Sequence, residues 1–161
     1  MHIRLMITDR LASKCFAPTG SRTLCTEWRK IDGLKEKESV KMPILGVGTD
    51  IVEIERIASV CEREPSFVER VFTPTERDYA LGKQSKYLHL AARFAAKEAV
   101  AKALGGPFSW NEVEVVNNSD GKPMVNLYGR AKAAAGNAIV HLSVSHTKHY
   151  ASAVAVVEVE D

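Results

Sequence analysis

The stretch from Lys86 to Leu104, KYLHLAARFAAKEAVAKAL, constrains this chain more than any other. Its residues predict one long helix, and Gly105 directly after it is a natural stop. Ala91, Ala92, Ala95, Ala96, Ala99, Ala101 and Ala103 leave little side-chain bulk, which suits close packing. That makes the charges inside it conspicuous. Lys97 and Glu98 sit side by side in the middle. Glu98 and Lys102 are four apart on one face, with Phe94 on the same row. On a solvated helix such a Glu–Lys pair contributes roughly a few tenths of a kcal/mol. Small neighbours argue instead for a less solvated pair, and for a carboxylate with a task.

The rest of the chain supplies what this helix packs against. "ILGVGTDIV" from Ile44 predicts a strand, and "EIERIASVCE" an amphipathic helix with Ile54, Ile57, Ala58 and Cys61 on one stripe. Pro65 interrupts, and "SFVERVF" adds a short helical piece. "TPTE" at 73–76 starts another helix: Thr73 can cap it, Pro74 suits the first turn and Glu76 completes a capping box. "EVEVV" and "PMVNLY" flank "NNSDGK" as a hairpin. "GRAKAAAGNA" predicts a short helix, and "VHLSVSH" and "YASAVAVVEVE" two closing strands. Helices early and strands late predict an α+β fold, a mostly antiparallel sheet packed with the long helix.

Charge and cysteine usage narrow the function classes. Residues 1–42 hold nine Lys/Arg against five Asp/Glu, net +4, whereas residues 43–161 hold thirteen against fifteen, net −2. The part with folding pattern is therefore slightly acidic, which argues against a nucleic-acid partner gripped through bulk charge. No apolar run approaches the roughly 20 residues that span a bilayer, so no membrane partner is expected. Cys15, Cys25 and Cys61 show no C-x-x-C spacing, and their odd count suggests a reducing compartment without a disulfide framework. Residues 1–42 lack a sustained period and end in a charge run. They are read as a disordered extension or a mis-set start, with Met42 as the alternative start and residues 43–161 as the single domain.

Three places could carry chemistry. In "GVGTD", Gly46, Gly48 and Asp50 share one face of the strand, so something approaches that face closely. It is either another packed element, with Asp50 capping the next helix, or a bulky ligand beside a cation on Asp50. On the long helix, Glu98 would supply a second carboxylate. Two carboxylates suit Mg²⁺, which completes its shell with phosphates and water. In "LSVSHTKHYASA", Ser145, His146, Thr147 and Lys148 gather donors at a strand end, fit for phosphate oxygens or for an ordinary polar turn. His146 and His149 lack a third ligand for zinc. No Walker loop, GxGxxG or CxxC is present.

Three blocks, "ILGVGTDIVEIERI", "RFAAKEAVAKALG" and "HLSVSHTKHYASAVAVV", resemble the signature blocks of the holo-(acyl-carrier-protein) synthases. These are the small bacterial class of 4′-phosphopantetheinyl transferases. The resemblance covers roughly residues 43 to 159, in the right order. It implies transfer of 4′-phosphopantetheine from coenzyme A to a serine of apo acyl carrier protein, in fatty acid biosynthesis in the cytoplasm. It further implies Mg²⁺ on Asp50 and Glu98, with Glu98 and Lys102 as catalytic residues and Lys102, His146 and Thr147 at the coenzyme A site. Arg56 matches the position that contacts the acidic carrier protein, while Arg93 falls in the block without an assigned role. The base for the serine would be Glu98 or a water on the metal. Gly46 and Gly48 would open the wall near the metal, and a homotrimer would build each pocket from two protomers. The loop "GGPFSW" is shorter than the family's, which bears on adenine contacts rather than on the metal site. Another Mg²⁺-dependent enzyme acting on a diphosphate would need no Arg56, and a binding module with a decayed site would not need Asp50 or Glu98.

Overall fold

The structure, a computed structural model, describes residues 43–159. The readings of residues 1–42, Cys15 and Cys25 among them, lie outside this range. The chain runs β1 (Ile44–Glu53), α1 (Ile54–Arg63), α2 (Pro65–Val71), α3 (Pro74–Leu81) and α4 (Lys86–Leu104). A 3-10 turn (Trp110–Glu112) leads to β2 (Val113–Asn117), β3 (Pro123–Leu127), α5 (Gly129–Ala135), β4 (Ile139–His146) and β5 (Tyr150–Glu158). All strand pairs are antiparallel, and the fold is α+β as the sequence predicts.

The expected elements form where their punctuation stands. Pro65 and Pro74 each occupy a first helical turn, where a missing N–H costs nothing. Thr73 Oγ1 accepts from the Glu76 N–H, and the Glu76 carboxylate accepts from the Thr73 N–H, completing the capping box. Gly105 ends α4 at φ 74°, a left-handed turn that glycine takes without strain. The sequence did not reveal the sheet order. The three-stranded sheet runs β1–β5–β4, with β5 in the centre, and the β2–β3 hairpin forms a separate sheet.

The Ala-rich helix lies across one face of the three-stranded sheet. Ala95, Ala96 and Ala99 on α4 and Ala151, Ala153 and Ala155 on β5 are at most 2% exposed. Small side chains on both surfaces let helix and sheet approach beyond the usual spacing. β1 comes closer still. A Cβ on Gly46 would strike the Ala103 carbonyl, and one on Gly48 would strike the Ala99 carbonyl and lie 2.7 Å from the Ala103 nitrogen. The space beside Gly46 and Gly48 is therefore filled by α4 backbone. The expectation that these glycines open the wall near a metal is corrected: a packed element fills the face, while the capping role considered for Asp50 is not found, since α1 has Glu53 at its N-cap and no side-chain cap. Between Ala91 and Val100 only Phe94 and Glu98 escape full burial, so α4 is a core helix on nearly every side. Phe72, Leu90, Val100 and Val113 belong to the same buried core.

The opposite face of the three-stranded sheet is bare among the described residues. Val47, Ile51 and Val154 are 62%, 68% and 43% exposed, although β-strands normally turn such residues inward.

Candidate active site

Backbone contact positions the two carboxylates. Asp50 follows Gly48 by two on the helix-facing side of β1 and pairs in register with Ala153. Glu98 immediately precedes Ala99, whose carbonyl Gly48 faces. Asp50 and Glu98 open onto one cavity of about 610 Å³, together with Glu53 and Arg56. Its apolar walls come from α1, α2 and α4: Ile57, Val60, Phe67 and Phe94, with Tyr150 at the rim. A second cavity of about 500 Å³ holds Glu98 again, Lys102, and the loop from Gly105 to Trp110. Glu98 is the titratable side chain common to both cavities, and the site is a junction.

Lys102 is not paired with Glu98, the partner its spacing suggests. Its Nζ lies 2.8 Å from Asp50 Oδ1 and donates to the Thr49 carbonyl at 3.0 Å. The hydrogen bond to Asp50 holds the Lys102 ammonium above its ordinary pKa against slight desolvation, helped by the negative charges of Asp50 and Glu98. The reach from helix to strand explains the choice: the close approach at Gly48 brings Asp50 within a lysine's length.

Arg56 is exposed on the first turn of α1 and edges the first cavity. His146 and Thr147 line neither cavity. Thr147 builds the β4–β5 turn: its N–H donates to the Tyr150 carbonyl at 2.8 Å, and its Oγ1 accepts from the His149 and Tyr150 N–H groups. His146 is exposed and close enough to His89 at the start of α4 to affect its titration. Burial lowers the His89 pKa, with Arg93, Lys83 and His146 adding positive charge. No group of three or more metal-ligating side chains exists among the described residues.

The partners of several charged residues were not legible in the sequence. Lys97, 1% exposed, forms an ion pair of 2.7 Å with the fully buried Glu76. Arg93 is buried, stacks over the Tyr79 ring at 4.1 Å and donates to Asn117 Oδ1, while its Nε has no partner. Glu114 is buried and accepts from Thr73, Asn126 and Tyr128. The available signal was alanine on every side of α4. A helix without a solvent face must pair internally any charge off the Phe94–Glu98 row.

With this geometry in view, comparison with known proteins identifies the lineage. The family model of the 4′-phosphopantetheinyl transferase superfamily matches residues 46–155, and the chain belongs to that superfamily. Within it, the chain is similar to a holo-(acyl-carrier-protein) synthase of Caldanaerobacter subterraneus subsp. tengcongensis. The two are 47% identical over 116 residues, covering 68% of this chain and 91% of the relative. Among solved structures, the holo-ACP-synthase of Plasmodium yoelii superposes with a TM-score of 0.67 at 35% identity, covering 74% of this chain and 98% of its own. The Bacillus anthracis holo-(acyl-carrier-protein) synthase in complex with CoA (3′,5′-ADP) gives 0.63 at 38% identity, covering 73% and 98%.

Proposed function

We infer that this chain is a holo-(acyl-carrier-protein) synthase. It transfers 4′-phosphopantetheine from coenzyme A to a serine hydroxyl of apo acyl carrier protein and releases adenosine 3′,5′-bisphosphate. The observation that carries the reading is the junction of two cavities at Glu98, with Asp50 and Lys102 beside it. A diphosphate there has one arm of coenzyme A on either side. Family membership and the coenzyme A-bound relative support the substrate.

The serine oxygen attacks the β-phosphorus, and the bond from that phosphorus to the bridging oxygen breaks. The bisphosphate leaves with the electron pair of that bond. Glu98, the carboxylate at the junction, would accept the hydroxyl proton. Lys102, kept protonated by its partners, offsets negative charge on the leaving phosphate. Asp50 and Glu98 fit Mg²⁺: both are hard oxygen donors on one cavity, and Asp50 already holds a cation, the Lys102 ammonium. Mg²⁺ held there would neutralise charge on the diphosphate. Arg56, exposed beside the cavity, is the contact for an acidic carrier protein. His146 and Thr147 would serve a coenzyme A site that includes a neighbouring protomer. A homotrimer covers the bare sheet face of Val47, Ile51 and Val154 and brings such a neighbour. We assign the activity to residues 43–161 and place it in the cytoplasm, in fatty acid biosynthesis.

Intact mass spectrometry of apo acyl carrier protein, incubated with coenzyme A, Mg²⁺ and this protein, tests the reading. A phosphopantetheine-sized gain with wild type, lost in Asp50→Ala and Glu98→Ala, is expected. No gain with folded protein across several carrier proteins would overturn it.

A further inference from the structure

Lys97 stands next to Glu98 in sequence, yet its ammonium has no free proton. Nζ sits 2.7 Å from Glu76 Oε2, 2.8 Å from the Trp110 carbonyl and 2.6 Å from the Val113 carbonyl. Three acceptors use all three donors of a lysine. Glu76 is equally committed: Oε2 accepts from the Thr73 N–H at 2.9 Å and Oε1 from the Val115 N–H at 2.8 Å. Burial lowers the Lys97 pKa, and the negative charge of Glu76 offsets only part of that. Lys97 borders the second cavity, but its side chain is 1% exposed and its three ammonium donors are already taken.

The two carbonyls are the informative partners. Trp110 and Val113 bracket the 3-10 turn through which the loop Gly105–Ser109 enters β2. That loop, with Trp110, forms one side of the second cavity. The Trp110 ring also stacks on Phe94, centroids 4.9 Å apart, and Phe94 lines the first cavity. One buried ammonium thus ties the end of the loop to the helix that carries Glu98 and Lys102.

A buried ion pair is a poor stability device, because apolar residues of similar volume often hold a fold as well or better. An apolar residue cannot grip two carbonyls. We propose that Lys97 is a positioning residue for coenzyme A: it fixes the 105–110 wall of the second cavity relative to Glu98 and Lys102. This rests on the transferase reading for the identity of the ligand. Lys97 acts through the loop and not by touching the nucleotide.

The test compares wild type with Lys97→Met/Glu76→Gln, which removes both buried charges; the one amide oxygen at residue 76 still accepts from either the Thr73 or the Val115 N–H, and the other N–H loses its acceptor. The variant is expected to melt below wild type, because the Trp110 and Val113 carbonyls and one backbone N–H lose their partners, and it is assayed at a temperature where it is folded. Its KM for coenzyme A should rise about tenfold or more, with kcat and the KM for carrier protein within threefold. Calorimetric titration with coenzyme A should show the same loss in Kd. A folded double variant with unchanged KM and Kd for coenzyme A would overturn the proposal, as would a loss confined to kcat. Should the double variant fail to fold, an α-hydroxy acid in place of Asn111 provides the second measurement. It weakens the Trp110 carbonyl as an acceptor and disturbs no buried charge. Its coenzyme A Kd should rise severalfold, and an unchanged Kd would again overturn the proposal. If wild type transfers nothing, the transferase reading fails, while the calorimetric comparison still decides the role of Lys97.

Discussion

Replacing Gly48 by alanine adds one methyl group where β1 lies against the backbone of α4. The new Cβ would collide with the Ala99 carbonyl oxygen and lie 2.7 Å from the Ala103 nitrogen. Both obstacles are backbone, so no side-chain rotation relieves them. Restoring an ordinary 3.4 Å separation from the nitrogen alone requires about 0.7 Å of helix withdrawal, and the carbonyl demands more. Overpacking of this kind costs about 1–3 kcal/mol, and backbone on both sides puts Gly48→Ala near the top, about 3 kcal/mol. For a domain of this size that lowers the melting temperature by roughly 10 °C. The withdrawal also carries Lys102 and Glu98 away from Asp50. Displacement of about 1 Å at a reacting centre costs about 100-fold in rate. Urea melts and initial rates on the same preparation read both effects. Gly82→Ala is the control, because its Cβ would meet nothing closer than 3.3 Å. A Gly48→Ala protein within 1 kcal/mol of wild type and fully active would refute the claim that helix and strand touch through backbone.

Other outcomes follow from the same contacts. Arg56→Glu should raise the KM for carrier protein about tenfold, leave the coenzyme A KM alone and flatten the dependence of that KM on salt, read by initial rates across a salt series. Ile51→Asp places a charge on the bare sheet face and should convert the assembly to monomer in sedimentation velocity, while a monomeric wild type would refute the trimer. Glu114 gives a pH signature. Burial pushes its carboxyl pKa up, but hydrogen bonds from Asn126, Thr73, Tyr128 and Thr75 outweigh this and set it below the ordinary 4.5. A lowered folded value contributes stability above pH 4.5 that is lost as pH falls through it. Glu114→Gln should therefore flatten the fall of melting temperature as pH drops below 4.5, and an unchanged slope would sink the assignment.

The turn chemistry at Thr73–Glu76, Gly105 and the "NNSDGK" tip made the elements legible, because each depends on residues a few positions apart. The carboxylate pair was legible through its setting. Asp50 ends a glycine-spaced strand and Glu98 stands in alanine, and the family resemblance joined them. What stayed hidden was partnership across distance. Lys97 stood out beside Glu98 as a charge in an Ala-rich helix, but nothing local says that Glu76, twenty-one positions earlier, neutralises it. The period of two placed Gly46, Gly48 and Asp50 on one face without saying what fills that face. The spacing of four paired Lys102 with Glu98, but a strand brought within reach of the helix took its ammonium instead. Burial on all sides of a helix is a property of the assembled fold.

The central place of β5 has a consequence for how the chain is made. β5 hydrogen-bonds to β1 on one side and β4 on the other, yet it emerges about 100 residues after β1. At a ribosomal rate of about 5–20 residues per second, β1 waits roughly 5–20 s for its partner. Throughout that interval β1 presents an unpaired, apolar edge, and α4 has only a fragment of sheet to dock on. A stalled or truncated chain that stops before Tyr150 contains every carboxylate and cation of the site and none of the strand that assembles the sheet. Such a product should be found with chaperones or proteases rather than with carrier protein.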